Sequence, residues 1–443
     1  MLLYSTSIDG KSHIQTQAVQ QGRPRQITFS EGDDRSPDWL PDGNRFAFSS
    51  NRNGRFQVYV GWIDGPEPEQ LAFTDDDHES LTVSPDGSRI ITLGQRENAN
   101  LFSCDIRTGI ETGQTSEFGI QLFPEVSPDG QRIAFQASDA SINLDEAVMI
   151  KNNDAESRSV QIASTGFNAT WSPRGDLLAF IRYSAGKSEL FKVSDAGQNQ
   201  SALASDVLFS GQTGVPYNRF FSNYGWSPDG GKIVYRSAKS GQDNLWVVPI
   251  NGQPEKMITS NTDPKTQVYS PFWSPDGRQI GYLSRISLPD AGTKKSINIT
   301  EQGKSETVYE TTSPIKLIGW SASGDALIFA LGDRAESTRP QKITLLRVSI
   351  DSRKTSTIGQ IDSAYLYSVS LLAGAQSIAL VSRQNSVDNI EIISASNGSI
   401  KQATSNSDTT AYYSGINWSP DGKTIYYSKQ TNWVFVSLVE NFQ

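Results

Sequence analysis

A five-residue phrase, Trp-Ser-Pro-Asp-Gly or a near copy of it, returns along the whole chain at an almost fixed interval, and it restricts the fold more than any bulk property does. Copies begin at Trp39, Val83, Val126, Trp171, Trp226, Trp273, Trp320 and Trp418, with separations of 44, 43, 45, 55, 47, 47 and 98 residues. The last gap is two periods long, and Ser370-Leu371-Leu372-Ala373-Gly374 near its middle reads as a decayed copy. Nine anchors with a period in the forties describe an array of similar units, and strand-rich units of that length are propeller blades.

Each period contains strand-sized pieces in a constant order. In the stretch from Ser36 to Thr74, Ser36-Pro37-Asp38-Trp39 leads into Leu40-Pro41-Asp42-Gly43, where Pro presets φ and Gly accepts a positive φ, so the chain reverses tightly. Arg45 to Ser49 alternates as a second strand, Asn53-Gly54 marks a hairpin, Gln57 to Trp62 is a third strand, and Glu69 to Phe73 is a fourth. The chain is 36% hydrophobic with 36 Gly, 20 Pro, 9 Trp, 15 Tyr and 19 Phe, a composition that suits short strands and turns. The expected fold is all-β: a single β-propeller over residues 1–443 with four-stranded antiparallel blades, eight or nine in number. Residues 1–29 read as a partial N-terminal blade that closes the ring with 416–443, removing exposed strand edges.

The anchor residues themselves are structural. Val83 and Val126 occupy the register of the tryptophans, so the position requires an apolar filler between blades and not an indole. The repeated Asp is a turn residue, replaced by Arg174 and Ser323 in two copies.

Charge and cysteine content exclude several function classes. With 39 basic and 48 acidic side chains the formal charge is −9, which repels a phosphate backbone, so nucleic acid is not an expected partner. Cys104 is the only cysteine, which rules out an intrachain disulfide and a thiolate metal cluster, and its strand-like surroundings suit a buried structural thiol. The sequence has no run of about 18 apolar residues, so no direct membrane insertion is expected. Met1-Leu2-Leu3-Tyr4-Ser5-Thr6 is unlike a signal peptide, and Leu2-Leu3-Tyr4-Ser5 matches Phe46-Ala47-Phe48-Ser49 inside a repeat. The chain is accordingly expected to be the mature or excised C-terminal part of a longer protein.

Ser270-Pro271-Phe272-Trp273-Ser274-Pro275-Asp276-Gly277-Arg278-Gln279-Ile280 and Arg25-Gln26-Ile27-Thr28 carry a resemblance to the TolB-like, WD40-like propeller repeats, extending over residues 25 to 430. The resemblance implies a propeller whose function lies in the particular site, since such repeats occur in TolB, in the caps of prolyl oligopeptidase-type hydrolases, in pectate-fragment lyases and in C-terminal sensor-like modules of bacterial regulators. This chain looks most like the last kind. The resemblance implies a periplasmic or extracytoplasmic location.

Signatures of catalysis are weak. Gly225-Trp226-Ser227-Pro228-Asp229 comes nearest to a nucleophile elbow and is an anchor turn. His13 and His78 are the only histidines, too few for a multi-histidine metal centre, and Asp75-Asp76-Asp77-His78-Glu79 lacks calcium-loop spacing. Gly211-Gln212-Thr213-Gly214 has no Lys-Ser/Thr after it, so it is not a phosphate loop. No enzyme, cofactor or metal is therefore expected; the competing reading is a carbohydrate- or peptide-processing enzyme using Asp33, Asp34, Asp76, Asp77 and Glu79 at the channel mouth.

The segments upstream of each anchor converge on one face of a propeller, and their aromatic content points to recognition of a protein or peptide partner, or of a small ligand, there. The candidate binding residues are Phe123, Phe167, Arg219, Phe220, Tyr224, Tyr269, Tyr365, Tyr367 and Tyr412, on a chain expected to be a monomer. Two departures from the period, Ser205 to Phe221 and Ser287 to Ser305, are candidates for a working loop and a longer hairpin loop.

Overall fold

The computed structural model describes all residues except 9, 20–21, 72–76, 117–118, 139–146, 185–186, 209–223, 289–291, 334–340, 373 and 441–443. Among the described residues the regular structure is entirely β, and the strands pair almost wholly antiparallel, in four sheets of four strands and in others of three, seven and nine. The sheet at Trp226 is typical: Tyr224–Trp226, Lys232–Ser237, Asn244–Pro249 and Lys256–Met257 pair in chain order. Most of the stretch read as a loop between Ser287 and Ser305 is strand, because Gly292–Glu301 pairs along Ile280–Leu288 on one side and Lys304–Thr311 on the other.

The anchor phrase builds the same turn each time. Its Gly holds φ between 66 and 76° from Gly43 to Gly422, where a Cβ would be strained. In the turn at Trp273, Gly277 N donates to Ser274 O at 2.9 Å and Ser274 N to Gln279 O at 2.8 Å. Asp276 accepts from the Ser274 hydroxyl at 2.6 Å and from Arg278 N at 3.1 Å, which holds its carboxyl below the ordinary range. Where Arg174 and Ser323 replace this Asp, the acid two residues later substitutes: Ser172 and Ser321 each donate at 2.7 Å to Asp176 and Asp325. In these copies a carboxylate still caps the turn, from a position two residues later.

The decayed copy lies one residue later than the phrase suggests. Trp273 sits opposite Ile280 and Trp320 opposite Leu327, seven residues on, and the residue with that pairing in the degenerate repeat is Leu371, opposite Ile378. Leu372 N donates to Ser377 O at 2.9 Å and Ala375 N to Leu372 O at 2.8 Å, so Ala375, at φ 54°, stands where other turns have Gly.

The chain divides into two compact units, where its periodicity alone suggests one array. The smaller comprises residues 1–98, 139–144 and 431–443, and the larger 99–138 and 145–430. Periodicity counts strands and is blind to which sheet each one joins. Leu2–Ile8, Lys11–Gln17 and Arg25–Gln26 form a three-stranded sheet of their own in the smaller unit. The strands that complete Ala411–Trp418 and the first part of Thr424–Glu440 come from the second part of Arg89–Asp105 and from Glu111–Gly113, not from residues 1–29.

Within the larger unit successive sheets are joined face to face. Ala134 and Val148 pack on Trp171 and Phe180 of the next sheet, and Ala179 and Leu190 on Tyr224 and Ile233 of the one after. The indole N–H of each anchor Trp donates to the carbonyl just before the preceding anchor: Trp171 to Glu125 O at 2.9 Å, Trp226 to Thr170 O at 3.3 Å, Trp273 to Gly225 O at 3.1 Å, Trp320 to Phe272 O at 2.9 Å and Trp418 to Ser370 O at 3.4 Å. The anchors are fillers, as their interchange with Val implies, and where the filler is Trp its polar edge also ties two sheets together.

Two sheets carry a second, polar brace. Asp243 pairs with Arg236 at 2.9 Å and accepts Val268 N of the next sheet at 3.2 Å; Asp388 pairs with Arg383 at 2.8 Å and accepts Tyr413 N at 3.0 Å. The following Asn repeats as well: Asn244 and Asn389 accept the hydroxyls of Thr259 and Thr404 at 2.9 and 3.0 Å.

Candidate partner-binding site

The innermost strands carry a recurrent irregularity that shapes their face. Three residues before the anchor, Ser36, Phe123, Asn168, Ser270 and Gly415 adopt positive φ of 49 to 63°, and the pairing register slips there between Leu122 and Glu125, Phe167 and Thr170, and Tyr269 and Phe272. Such a bulge interrupts strict alternation and redirects neighbouring side chains, which is why up-down counting cannot assign them to layers. Phe123, bulky and half-buried in the left-handed region, lies close to Gly415, whose added Cβ would come within 3.1 Å of its Cα.

Of the nine candidate residues, Tyr365 and Tyr412 come together. Arg383 lies between them: its guanidinium is 4.6 Å from the Tyr412 ring centroid, it bonds the Tyr365 hydroxyl, and Asp388 holds its Nη1 at 2.8 Å. Tyr412 is 43% exposed although its ring is held in place, so it offers a pre-positioned aromatic surface. Burial and the Asp388 charge push the Tyr365 hydroxyl up to about 12, which keeps it neutral and able to donate. Arg383 was not among the sequence candidates, yet a signal exists: Arg236 and Asp243 repeat the Arg383 and Asp388 pair.

Three candidates are packed between sheets. Phe167 is 6% exposed, Tyr224 2% and Tyr269 8%, each within an apolar cluster. The Tyr224 hydroxyl donates to Ala179 O at 2.8 Å and also contacts Asn168 O, while Thr170 Oγ1 donates to it at 3.1 Å; burial drives its ionisation well above the usual range. Arg219 and Phe220 lie outside the described residues, as does most of the Ser205 to Phe221 insertion, and so does the Tyr367 side chain.

Two further groups on the inner strands of the larger unit have perturbed acidity. Glu125 Oε2 accepts Asn417 Nδ2 at 2.9 Å, and desolvation pushes its carboxyl up to about 7. Lys316 donates to Val369 O at 2.8 Å, and burial brings its amine down to about 7. For Glu125 the folded state binds more protons than the unfolded chain between about pH 4.5 and 7, so its contribution to stability falls with rising pH across that window and is level above it. Glu125→Gln is expected to remove that slope and to stabilise the larger unit by about 1–2 kcal/mol at pH 8, allowing for its partial exposure. Urea titrations at pH 5 and pH 8 measure it; an unchanged pH dependence would place the charge in solvent.

The acids considered for catalysis serve as backbone and side-chain acceptors in the smaller unit. Asp34 is buried and bonds Arg52 at 3.1 Å and the Ser30 hydroxyl at 3.0 Å. Asp33 accepts Ser12 N at 2.7 Å and Asp77 accepts Phe56 N at 2.8 Å. Asp76 and the Glu79 side chain lie outside the described residues. His13 and His78 are both buried, with His78 Nδ1 2.6 Å from Thr92 Oγ1, and among the described residues no cluster of three or more His, Cys, Asp or Glu could hold a metal ion. Cys104 is fully buried, its thiol pushed up to about 11 by burial and by Glu111, which makes it an unreactive core residue.

Four-stranded antiparallel sheets stacked through an anchor-phrase turn define a protein of the β-propeller class. Residues 1–135 match the family model described as TolB beta propeller domain. An uncharacterized protein of Agrobacterium fabrum (strain C58) is 27% identical over 180 residues, 38% of this chain, and the match spans about half, 47%, of that relative's length. The β-propeller domain of the Trilobed protease from Pyrococcus furiosus, reported with an open velcro topology, is similar at a TM-score of 0.51 and 14% identity, covering 74% of this chain and 99% of that one. Oligogalacturonate lyase from Vibrio parahaemolyticus is similar at 0.51 and 11% identity, covering 75% of this chain and 96% of that one. The chain is TolB-like in its repeat, and at these identities its likeness to the solved structures is one of fold.

Proposed function

We propose that this chain is a non-catalytic binding module that recognises a protein or peptide partner on the face where the inner strands of the larger unit begin, as the extracytoplasmic, periplasmic sensing part of a larger bacterial envelope or regulatory protein. The observation that carries the reading is the exposed Tyr412 ring stacked on Arg383, with Tyr365 and Asp388 fixing the guanidinium. Tyr and Arg are among the residue types that dominate binding energy at protein interfaces. The larger unit, in this reading, is a closed ring of seven sheets. Support comes from its two ends: Val126 N donates to Asn417 Oδ1 at 3.3 Å, Asn153 Nδ2 to the Tyr426 hydroxyl at 2.7 Å, and Phe123 N to Ser428 Oγ at 3.2 Å.

The test is capture of partners from a bacterial envelope fraction by the chain and by Tyr412→Ala. Because Tyr412 is exposed, the substitution is expected to leave the unfolding curve unchanged and to weaken retention of the partner by about thirtyfold, the loss of one hot-spot residue. An identical set of retained proteins at equal strength would remove the reading.

One observation favours the competing enzyme reading: Glu125 is a partly buried carboxyl poised near neutrality, as a general acid requires, and the fold is shared with an oligogalacturonate lyase. That reading predicts turnover of oligogalacturonides or peptides by the chain and its loss in Glu125→Gln.

A further inference from the structure

Between the sheet of Trp226 and the sheet of Trp273 the larger unit holds a cleft of 370 Å³, beside the anchor turns. Its apolar wall includes Val247, Ile258 and the half-buried Trp273, and Lys232, Lys256 and Arg278 line it as well, with Gln302 as a neutral neighbour. Among the described residues no carboxylate lines it. An apolar wall with a few convergent polar groups is the usual make-up of a pocket for a small organic molecule.

The repeat shows how this junction departs from its counterpart two sheets earlier. Arg132 and Lys232 each lie six residues after an anchor, Val126 and Trp226. Arg132 is neutralised across its junction: its guanidinium lies 5.1 Å from the Trp171 ring centroid, and its Nη1 donates to Asp195 at 2.8 Å. Asp195 comes two residues after Val193, which pairs with Leu178, and Gln302 comes two residues after Thr300, which pairs with Ile280. Leu178 and Ile280 each lie seven residues after their anchors, so Gln302 stands where Asp195 does and offers Lys232 no acid. Two more positions shift in the same sense. Arg278 takes the place of Asp176, five residues after the anchor. Lys256, opposite Val247, takes the place of Val160, opposite Ile150.

The acids near these cations in sequence are engaged elsewhere. Asp229 accepts the Ser227 hydroxyl at 2.6 Å and Gly231 N at 2.9 Å, and Glu301 accepts Gln279 Nε2 at 3.0 Å. Glu255 is held by Tyr235 and Lys239. Asp276 caps its own turn and stands 3.7 Å from Arg278 Nε, with both side chains largely exposed, a loose pairing of little strength.

We infer that this cleft binds a small hydrophobic carboxylate, its acid group among Lys232, Lys256 and Arg278 and its apolar body against Trp273. The ligand's acid does here what Asp195 does at the counterpart junction. Three cations without a lining carboxylate set the sign of the ligand's charge, and an indole that is less buried than Trp171 offers a flat apolar surface beside them. Anchor turns follow the inner strands, whereas Tyr412 lies near the start of one, so the cleft and the Tyr412 surface belong to different ends of those strands and stand or fall separately.

The experiment titrates naphthalene-1-acetate into the full chain by isothermal calorimetry, beside naphthalene-1-methanol, its uncharged counterpart. It is repeated with Lys256→Gln plus Arg278→Gln, with Gln302→Asp, which puts back the acid of the counterpart junction, and with Gln302→Asn as its neutral control. The acid is expected to bind saturably at one site, and the alcohol at least about tenfold more weakly. The double variant and Gln302→Asp should each raise the dissociation constant by about tenfold or more, whereas Gln302→Asn should leave it unchanged. Unfolding midpoints should not move, because Lys256 and Arg278 are exposed; should the double variant fold poorly, the contrast between the two Gln302 variants decides. No saturable binding up to about 10 mM, equal binding of acid and alcohol, or an affinity indifferent to Gln302→Asp would each overturn the inference.

Discussion

Replacing Asp388 by alanine is expected to lower the unfolding free energy of the larger unit by about 3–5 kcal/mol, the cost of stranding one partner of a buried charge pair. The carboxylate is 1% exposed and serves two sheets, holding Arg383 at 2.8 Å in its own and accepting Tyr413 N at 3.0 Å from the next. Removal takes the carboxylate from Arg383 and leaves the buried Tyr413 N–H without its acceptor. Asp388→Asn restores an acceptor without the charge and should recover part of the loss. Urea denaturation of the two variants measures the difference, and a loss below about 1 kcal/mol for the alanine variant would mean that water replaces the carboxylate at this junction.

The second large effect concerns the anchors. Trp320→Ala is expected to cost about 3–5 kcal/mol, as for other large aromatic deletions in a core, whereas Trp320→Phe should cost about 1–2 kcal/mol by keeping a ring and losing the indole donor. Trp320 is 6% exposed, packs with Leu283 and Leu327, and donates to Phe272 O at 2.9 Å. Comparable losses in both variants would assign the stability to the hydrogen bond, and a negligible loss in the alanine variant would show that the neighbouring sheets collapse into the space.

The anchor phrase made the strand class, the turn and the packing role of tryptophan legible, because each is a local consequence of Pro, Gly and an apolar residue at fixed spacing. Sheet membership was not legible. Arg89–Asp105 and Thr424–Glu440 read as ordinary strand content, and nothing in their patterning says that each is divided between the two compact units. The site was half legible for a related reason. Tyr224 and Tyr412 look alike upstream of their anchors, but Tyr224 finds carbonyl partners for its hydroxyl inside a cluster, while Tyr412 lies over an arginine at the surface. The bulge near each anchor rotates such residues by an amount that depends on a register slip, and a period of two cannot express it. The glutamate at position 125 was passed over because its neighbours are unremarkable in sequence; its partner Asn417 is 292 residues away.

The sheet that unites residues 99–113 with 411–430 also sets a schedule for synthesis. The Cys104 thiol meets Ala403 O at 3.3 Å across 299 residues, and the Glu111 carboxylate receives the Tyr427 hydroxyl across 316. At about 5–20 residues per second, a ribosome needs on the order of 15–60 s to cover that distance. Throughout that interval the outer strands of the sheet exist without their inner ones, and their unpaired edges remain open to other chains. The nascent protein is thus most exposed to misassembly just before residues 411–430 emerge, and its yield in a cell should depend on whatever shields strand edges during that wait.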